Sequence, residues 1–256
     1  MASDVPAVSS AVRILERLAS SWPAAVPPKD LVNELGLNRS TCYNILATLQ
    51  RAGWVSTMGE RSGWMLGPRL LTLTGVADDM TAAVAQQEID DLARGLGLVV
   101  FVAEADGSGG YVVTAKAERQ MGVRVTVSVG EGFPFAMPAL MQAYLAWQPR
   151  RVDELVDRHG LKQFTEHTVT DRDELGRVLA TTRERGYSTC VQQYDLAQSE
   201  VAAPVFDRRG QVSRLVCSLA LFTELHADNA ARVGTLVSDC ADRITTRTGG
   251  HRPPLE

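Results

Sequence analysis

The stretch that decides the fold is Leu31-Val-Asn-Glu-Leu-Gly-Leu-Asn-Arg-Ser-Thr-Cys-Tyr-Asn-Ile-Leu-Ala-Thr-Leu-Gln-Arg-Ala-Gly-Trp-Val55. Its first residues predict a short helix that ends at Gly36, because glycine tolerates the positive φ of a tight turn. Asn38 is a favourable N-cap for a second helix that runs to about Ala52, where Gly53 stops it. The stretch therefore predicts two helices joined by a tight turn.

The sequence on either side adds a third helix and a hairpin. Upstream, from Ser10, apolar residues recur at the spacing of a helix: Val12, Leu15, Leu18 or Ala19, and Trp22. Downstream, short strands are predicted at 54–58 and 64–66, with the turn residues of 59–63 between them. The first 66 residues thus predict three helices followed by a two-stranded wing.

The helix after Asn38 has two faces of different chemistry. On a helical wheel, one sector is apolar: Cys42, Ile45, Leu46, Leu49 and Ala52. The opposite sector carries no acidic residue: Ser40, Tyr43, Asn44, Ala47 and Arg51. Arg39 lies at the helix start, and Arg61 lies at the tip of the predicted wing. Hydrogen-bonding and basic groups without acids suit a helix in the major groove of DNA, beside phosphates.

Composition and charge narrow the class of protein. The 256 residues are 45% hydrophobic and 22% charged, as expected of a globular protein with a proper core. The net charge of −4 divides into +2 over residues 1–70 and −6 over the remainder. This asymmetry has the sign expected of a DNA-contacting head on an acidic body.

Localisation and metal binding are judged from sequence patterns. No apolar run approaches the roughly 18 residues that a membrane helix needs, and residues 1–10 show no secretory signal. The four cysteines and four histidines show no metal-ligand spacing. We therefore expect a cytoplasmic protein with reduced thiols, and neither a metal site nor a cofactor.

Beyond Gly97 the hydrophobic period changes from that of helices to that of strands. Strands are predicted at 99–105, 111–115, 123–129, 187–191, 200–206 and 211–221. Helices are predicted at 78–96, 139–147, 151–159, 171–186 and 228–246, and the tail 248–256 is predicted to be loose. The expected fold class is α+β: a winged helix-turn-helix domain (1–67), a linker helix (68–78) and a domain with a mainly antiparallel sheet (79–256).

These stretches resemble the IclR family of bacterial regulators. The resemblance rests on residues 31–55, on Trp64-Met-Leu-Gly-Pro-Arg-Leu-Leu71, and on three C-terminal motifs in family order. Those motifs are Arg158-His-Gly-Leu-Lys-Gln-Phe-Thr165, Arg183-Glu-Arg-Gly-Tyr187 and Ala202-Ala-Pro-Val-Phe-Asp207. The resemblance covers about residues 9–246.

The resemblance implies a DNA-binding transcription regulator and not an enzyme. Its partners would be a double-stranded DNA operator, a small-molecule effector and a second copy of the chain, as a homodimer or homotetramer. The C-terminal domain would be GAF-like and would bind the effector. The residues expected to bind DNA are Asn38, Arg39, Ser40, Thr41, Tyr43, Asn44, Arg51 and Arg61. Arg69 is expected to contact phosphate.

The pocket implied by the resemblance departs from the usual family pattern. Carried over position by position, its lining would be Ala139, Leu140, Cys190, Glu200, Cys217 and Leu219. The set is apolar apart from one carboxylate, so it offers a small organic anion nothing to replace its water shell. We therefore expect an effector that is more apolar than a simple small organic acid, or one that is cationic.

Several alternatives remain open at this stage. The pocket could be vestigial, filled by Leu140, Met141 and Leu219, and the regulator could act without a ligand. The second domain could be an enzyme, although only Cys190, Cys217 and Glu200 offer reactive groups and no catalytic set is evident. Cys190 and Cys217, if they lie on neighbouring strands, could form a redox pair. The winged helix could also bind a protein instead of DNA.

Overall fold

The structure is a computed structural model that describes residues 5–57, 63–106, 109–118 and 125–254, without the side chains of 71–79. The chain divides into two compact units between Asp79 and Met80. Within the described residues, no helix has the length and apolar composition needed to cross a membrane.

The first unit contains three helices: α1 (Pro6–Ser20), α2 (Pro28–Leu35) and α3 (Arg39–Arg51). They pack around a small buried core, which consists of Ile14, Leu18, Val26, Leu31, Cys42, Leu46 and Val55. α1 begins earlier than the predicted Ser10, because Pro6 occupies the first turn, where its missing N–H costs nothing. The hydroxyl of Ser10 instead donates to the Pro6 carbonyl at 2.8 Å, inside the helix.

The turn between α2 and α3 follows the prediction. Gly36 adopts a left-handed conformation with φ 63° and ψ 32°, which glycine adopts without steric cost. The side-chain oxygen of Asn38 then accepts a hydrogen bond from the backbone N–H of Ser40 at 3.0 Å. This contact satisfies one of the unpaired donors at the start of α3.

The wing consists of two antiparallel strands, β1 (Val55–Thr57) and β2 (Trp64–Leu66). A third segment joins them, because Val26 and Trp64 exchange two backbone hydrogen bonds of 2.8 Å. The base of the wing is therefore attached to the segment between α1 and α2. The wing tip, including Arg61, lies outside the described residues.

A short 3-10 turn, Pro68–Leu70, precedes α4 (Leu71–Leu96). One helix thus runs through much of the predicted linker (68–78) and on through the first predicted helix of the second domain. The exact domain boundary remains a prediction.

The second unit is built on a six-stranded antiparallel sheet with the strand order β5-β4-β3-β8-β7-β6. The strands are β3 (Val99–Ala105), β4 (Gly110–Ala117), β5 (Gly132–Pro134), β6 (Ser188–Val191), β7 (Gln198–Phe206) and β8 (Val212–Leu221). The remaining helices are α5 (Pro138–Leu145), α6 (Val152–His159), α7 (Arg172–Arg185) and α8 (Ala227–Arg247). The predicted α+β fold class is confirmed.

Each face of the sheet carries its own hydrophobic core. One core joins the sheet to α5, α6 and α7. The other joins it to α8 and to the part of α4 that includes Ile89 and Leu92. Because side chains alternate along a strand, neighbouring residues of β7 contribute to opposite cores: Val201 to the second and Ala202 to the first.

The predicted strand at 123–129 is wrong for its described part, since residues 125–129 are not in a strand. The edge of β4 is instead occupied by β5, which pairs with it from Gly110 to Val112.

The loose tail is also wrong as far as Pro254. The backbone N–H of His251 donates to the carbonyl of Asp207 at 3.3 Å. Arg252 donates to the Asp242 carboxylate at 2.8 Å and lies 5.7 Å from the ring centre of Trp147. The ion pair and the aromatic contact together attach the tail to the second unit.

Candidate DNA interface and effector pocket

α3 presents the residues that the sequence assigned to DNA recognition. Cys42 and Leu46 are fully buried and anchor the helix. The seven candidate residues that the structure describes are all exposed: Asn38, Arg39, Ser40, Thr41, Tyr43, Asn44 and Arg51. One face of α3 therefore packs in the core, and the other face is available for a partner.

The exposed face of α3 has donors, acceptors and positive charge. The guanidinium of Arg39 lies 5.7 Å from the ring centre of Tyr43, at the N-terminal end of the helix. The helix contains no acidic residue, and Arg51 lies in its last turn. Positive helix-dipole charge and backbone donors at the N-terminus favour phosphate. The surface thus suits a polyanion with hydrogen-bonding base edges.

Two contacts join α1 to α2. Arg17 forms an ion pair with Glu34, and a guanidinium nitrogen of Arg13 donates to the carbonyl of Leu35 at 2.8 Å. Arg69, on the segment after the wing, is exposed. Arg13 and Arg17 therefore use hydrogen-bonding groups within the first unit.

The structure brings the six candidate effector residues together beneath α5. Ala139 and Leu140 lie in the first turn of α5, and both are fully buried. Cys190, Glu200 and Leu219 are directly opposite one another across β6, β7 and β8. Cys217 is opposite Ala202 on the same face. All six are at most 4% exposed.

Glu200 dominates the electrostatics of this group. It is 1% exposed, and neither carboxylate oxygen has a hydrogen-bond partner among the described residues. Burial raises the pKa of Glu200 to about 8; the nearby Ala139 amide, which favours the charged form, offsets this only in part. A carboxyl group with this pKa is mostly neutral at pH 7.

Polar neighbours of the six residues were not predicted. Gln142 is fully buried, accepts from the Cys190 thiol at 3.3 Å and donates to the Gln193 side chain at 2.9 Å. The Ser188 hydroxyl donates to the Ala139 carbonyl at 2.8 Å. The sequence signal that could have indicated Gln142 is its position one turn after Ala139 on the same helix, which puts the two side chains on one face.

The redox-pair alternative fails on topology, because β7 lies between the strands that carry Cys190 and Cys217. Strands two places apart in a sheet are separated by about 9–10 Å, which exceeds the reach of a disulfide. Burial, with Glu200 nearby, raises the pKa of both thiols well above its usual value. Cys190 and Cys217 are both free cysteines in the structure.

No group of three or more metal-ligating side chains occurs in the described ranges. Asp90 and Asp91 are exposed on α4, where they bond to Gln86 and Arg94. The described part of the chain thus offers no metal centre.

Two family models match the chain. "IclR helix-turn-helix domain" covers residues 7–58, and "Bacterial transcriptional regulator IclR C-terminal" covers residues 76–246. The second match alone spans more than half of the sequence.

Curated relatives and solved structures match nearly the whole chain. The "Glycerol operon regulatory protein" of Streptomyces coelicolor is 29% identical, over 98% of this chain and 100% of its own length. The "Transcriptional repressor IclR" of Escherichia coli is 25% identical, over 97% of this chain and 92% of its own. An IclR transcriptional regulator from Alicyclobacillus acidocaldarius has a TM-score of 0.62 at 28% identity, over 96% of this chain and 100% of that one.

Proposed function

Because the chain belongs to the IclR family of DNA-binding transcriptional regulators, we propose that it recognises its operator DNA with α3. A small molecule bound in the second unit controls the affinity for that operator. The observation that carries the proposal is the exposed, acid-free face of α3, which rests on a buried opposite face. The chain acts in the cytoplasm, where its operator is.

Residues on the exposed face have different roles. Arg39, Ser40, Tyr43 and Asn44 face base edges, where each good pair is worth about 1–3 kcal/mol of discrimination. Asn38, Thr41, Arg51, Arg61 and Arg69 position the unit through the DNA backbone, which carries no sequence information directly.

The regulator works as a homodimer or a homotetramer. Two recognition helices then meet half-sites about one helical turn apart, or a multiple of that. An apolar stripe on α1 supports pairing of the first units: Val5, Val8 and Val12 are 48–60% exposed. Trp22, which is 60% exposed, lies in an apolar groove of about 500 Å³ that also includes Leu66 and Leu70.

The effector is more apolar than a simple organic acid, or it is a cation. A buried neutral carboxyl without a partner, surrounded by apolar side chains, disfavours an anion and can pair with an amine. Binding changes operator affinity through the segment 67–79, and a coupling of about 1–3 kcal/mol would change it about 5–150-fold.

A second candidate is favoured by the tight burial of the six pocket residues. Leu140 and Leu219 belong to the hydrophobic core of the second unit. In that case the pocket is vestigial and the regulator acts without a ligand there. Calorimetric titration with small dicarboxylates and with primary amines distinguishes a pocket that binds an effector from a vestigial one. Tight binding of a dicarboxylate would contradict an apolar or cationic effector.

The experiment that tests DNA recognition is a gel shift with fragments of the gene's own upstream region at two salt concentrations. We expect specific retardation that weakens with salt, since phosphate contacts release counterions. Asn44→Ala should reduce the preference for the operator over random DNA by roughly 5–150-fold, the equivalent of about 1–3 kcal/mol. Arg51→Gln should weaken all sequences alike and lower the salt slope by about 1.

Two controls accompany these variants. Thr48→Ala removes a hydroxyl that donates to the Asn44 carbonyl inside α3, and it should leave specificity unchanged. Arg209→Gln removes an exposed charge of the second unit, and it should leave the salt slope unchanged. No retardation of any fragment at either salt concentration would favour a protein partner for the winged helix instead.

A further inference from the structure

A small molecule can reach Glu200 only if part of the second unit opens, because all six candidate effector residues are at most 4% exposed. One half-buried side chain, that of Gln193, is bonded directly to the buried group. Its oxygen accepts from the side-chain nitrogen of Gln142 at 2.9 Å. Gln142 is fully buried and accepts from the thiol of Cys190, which is directly opposite Glu200. Gln193 therefore begins a hydrogen-bonded chain that ends beside the buried carboxyl group.

Gln193 also lines an open hollow of about 380 Å³ at the surface. The hollow lies along α7, which contributes Val178, Thr181 and Arg185, and it reaches Thr189 of the edge strand β6. A single side chain thus extends from this hollow to a fully buried amide.

The backbone next to Gln193 is strained. Gln192 has a φ of 56°, and it is the one non-glycine residue with positive φ in the described part of the chain. Such a conformation persists only where neighbouring groups hold it, and it occurs preferentially at ligand clamps and switch regions. Residues 192–193 will therefore favour another conformation once the contacts that hold them are broken.

Two hydroxyl groups of the loop 161–168 hold this backbone. Thr165 Oγ1 donates to the carbonyl of Gln192 at 2.7 Å, and Thr168 Oγ1 donates to the carbonyl of Gln193 at 2.5 Å. All of these groups are half-buried. Because the contacts join two loops, they can break while the strands of the sheet stay paired.

We infer that Gln193 is the gate residue of the effector pocket: when the loop 161–168 releases it, its bond to Gln142 breaks and a path opens from the hollow to Glu200. The inference rests on the proposed effector pocket, but it concerns access to that pocket and not the chemistry of the ligand.

Alkylation of the full chain by iodoacetamide tests the gate without a ligand. The thiolate is the reacting form, and burial raises the pKa of the Cys190 thiol well above its usual value. Cys190 should therefore react mainly while the gate is open. Cys240, which is buried in the core on the other face of the sheet, is the internal reference. Peptide mass spectrometry gives the labelling rate of each cysteine.

Two variants should open the gate more often. Gln193→Ala removes the bond to Gln142, and Thr165→Val removes the bond to the Gln192 carbonyl. Each should accelerate the labelling of Cys190 roughly 2–10-fold, since the closed state loses a hydrogen bond, and leave Cys240 unchanged. Gln163→Ala makes the matched change at an exposed position of the same loop, and it should alter neither rate.

Urea distinguishes this opening from a general loosening of the protein. A local opening exposes little new surface, so its frequency depends weakly on urea, whereas global unfolding depends on it steeply. Below the unfolding transition, the labelling rate of Cys190 should stay nearly constant with urea, while that of Cys240 rises.

Two results would overturn the inference. One is labelling of Cys190 that neither Gln193→Ala nor Thr165→Val accelerates, in protein that circular dichroism shows to be folded. The other is labelling of Cys190 that rises with urea in parallel with Cys240, since the thiol would then be reached by global unfolding. The effector fails separately: faster labelling in both variants, without calorimetric binding of amines or dicarboxylates, supports the gate and indicates a vestigial pocket behind it.

Discussion

Glu200 occupies an unfavourable environment for a carboxylate. Its oxygens lie inside the sheet–helix interface and have no hydrogen-bond partner in the part of the chain that the structure describes. The directly opposite side chains of Cys190 and Leu219 cannot stabilise a charge. The protein therefore keeps a proton on this group near neutral pH. A residue retained under such a cost is a reasonable centre for ligand recognition or for stability that depends on pH.

The sign of this pH dependence follows from the pKa. The folded-state pKa of Glu200 is raised from the usual 4.5 to about 8, so the folded state holds a proton that the unfolded chain loses. The free energy of unfolding should therefore fall as the pH rises from about 4.5 to about 8, and level off above that.

Glu200→Gln should remove this loss, because glutamine cannot ionise. We expect the variant to gain stability relative to wild type as the pH rises from 5 to 8, by up to about 4 kcal/mol. Urea unfolding at pH 5, 6.5 and 8 measures the difference. A difference that stays constant across this range would mean that Glu200 does not titrate there.

A matched control is Glu224→Gln, since Glu224 is exposed in the same unit. This variant should follow the wild-type pH profile. If it also flattened the profile, the effect would belong to net charge rather than to the buried carboxyl.

At the scale of elements, α3 has to be both a stable helix and a binding surface. Asn38 serves the first need through its bond to the Ser40 N–H, and the proposed DNA contact serves the second. The two roles make different demands on the side chain, because an N-cap only needs an acceptor oxygen, whereas a residue beside phosphate must not carry negative charge.

Substitutions of Asn38 separate these roles. Asn38→Ala should lower the free energy of unfolding by about 1 kcal/mol, since the cap is lost. Asn38→Asp should keep the stability, because aspartate caps equally well and favours the positive end of the helix dipole. Its negative charge should nevertheless weaken DNA binding. Thermal unfolding and the gel shift measure the two effects.

The result that would contradict the interface is full DNA affinity in Asn38→Asp. Loss of stability in that variant would instead show that the amide group itself is needed. Asn33→Asp, on an exposed position of α2, controls for an added negative charge in the same unit.

At the scale of the whole molecule, the exposed valines of α1 stand out because the hydrophobic core of the first unit, as far as the structure describes it, does not include them. Ile14 and Leu18 already bury the opposite face of the helix, whereas Val8 and Val12 are 60% and 48% exposed. An amphipathic helix needs only one apolar face for its core. The second face is consistent with the proposed pairing of two first units.

Val8→Ser combined with Val12→Ser should weaken self-association. A dimer of the variant lacks four valines, and burying the exposed half of each is worth at least about 0.75 kcal/mol, or about 3 kcal/mol in all. The dissociation constant should therefore rise at least roughly 100-fold. Sedimentation equilibrium measures it. Val129→Ser, which changes an equally exposed valine of the second unit, should have no effect. An unchanged assembly in the double variant would place the interface elsewhere.

How well a feature could be predicted from the sequence depended on how far apart along the chain the interacting residues are. The N-cap at Asn38, the turn at Gly36 and most strands and helices were predicted, since they depend on neighbours within a few residues. The strand predicted at 123–129 is wrong over its described residues, 125–129, because alternation cannot tell which segment pairs with β4. The docked tail failed because Arg252 finds Asp242 and Trp147 only in three dimensions.

By itself, the sequence determined the family, the two-part organisation and the exposed face of α3, because local periodicity and ordered motifs carry that information. Only the tertiary structure decided which distant side chains meet. It brought Cys190, Glu200 and Leu219 into one row, and it placed the side chain of Gln193 against that of Gln142. Strand order and helix packing set these contacts, and no spacing along the chain encodes them.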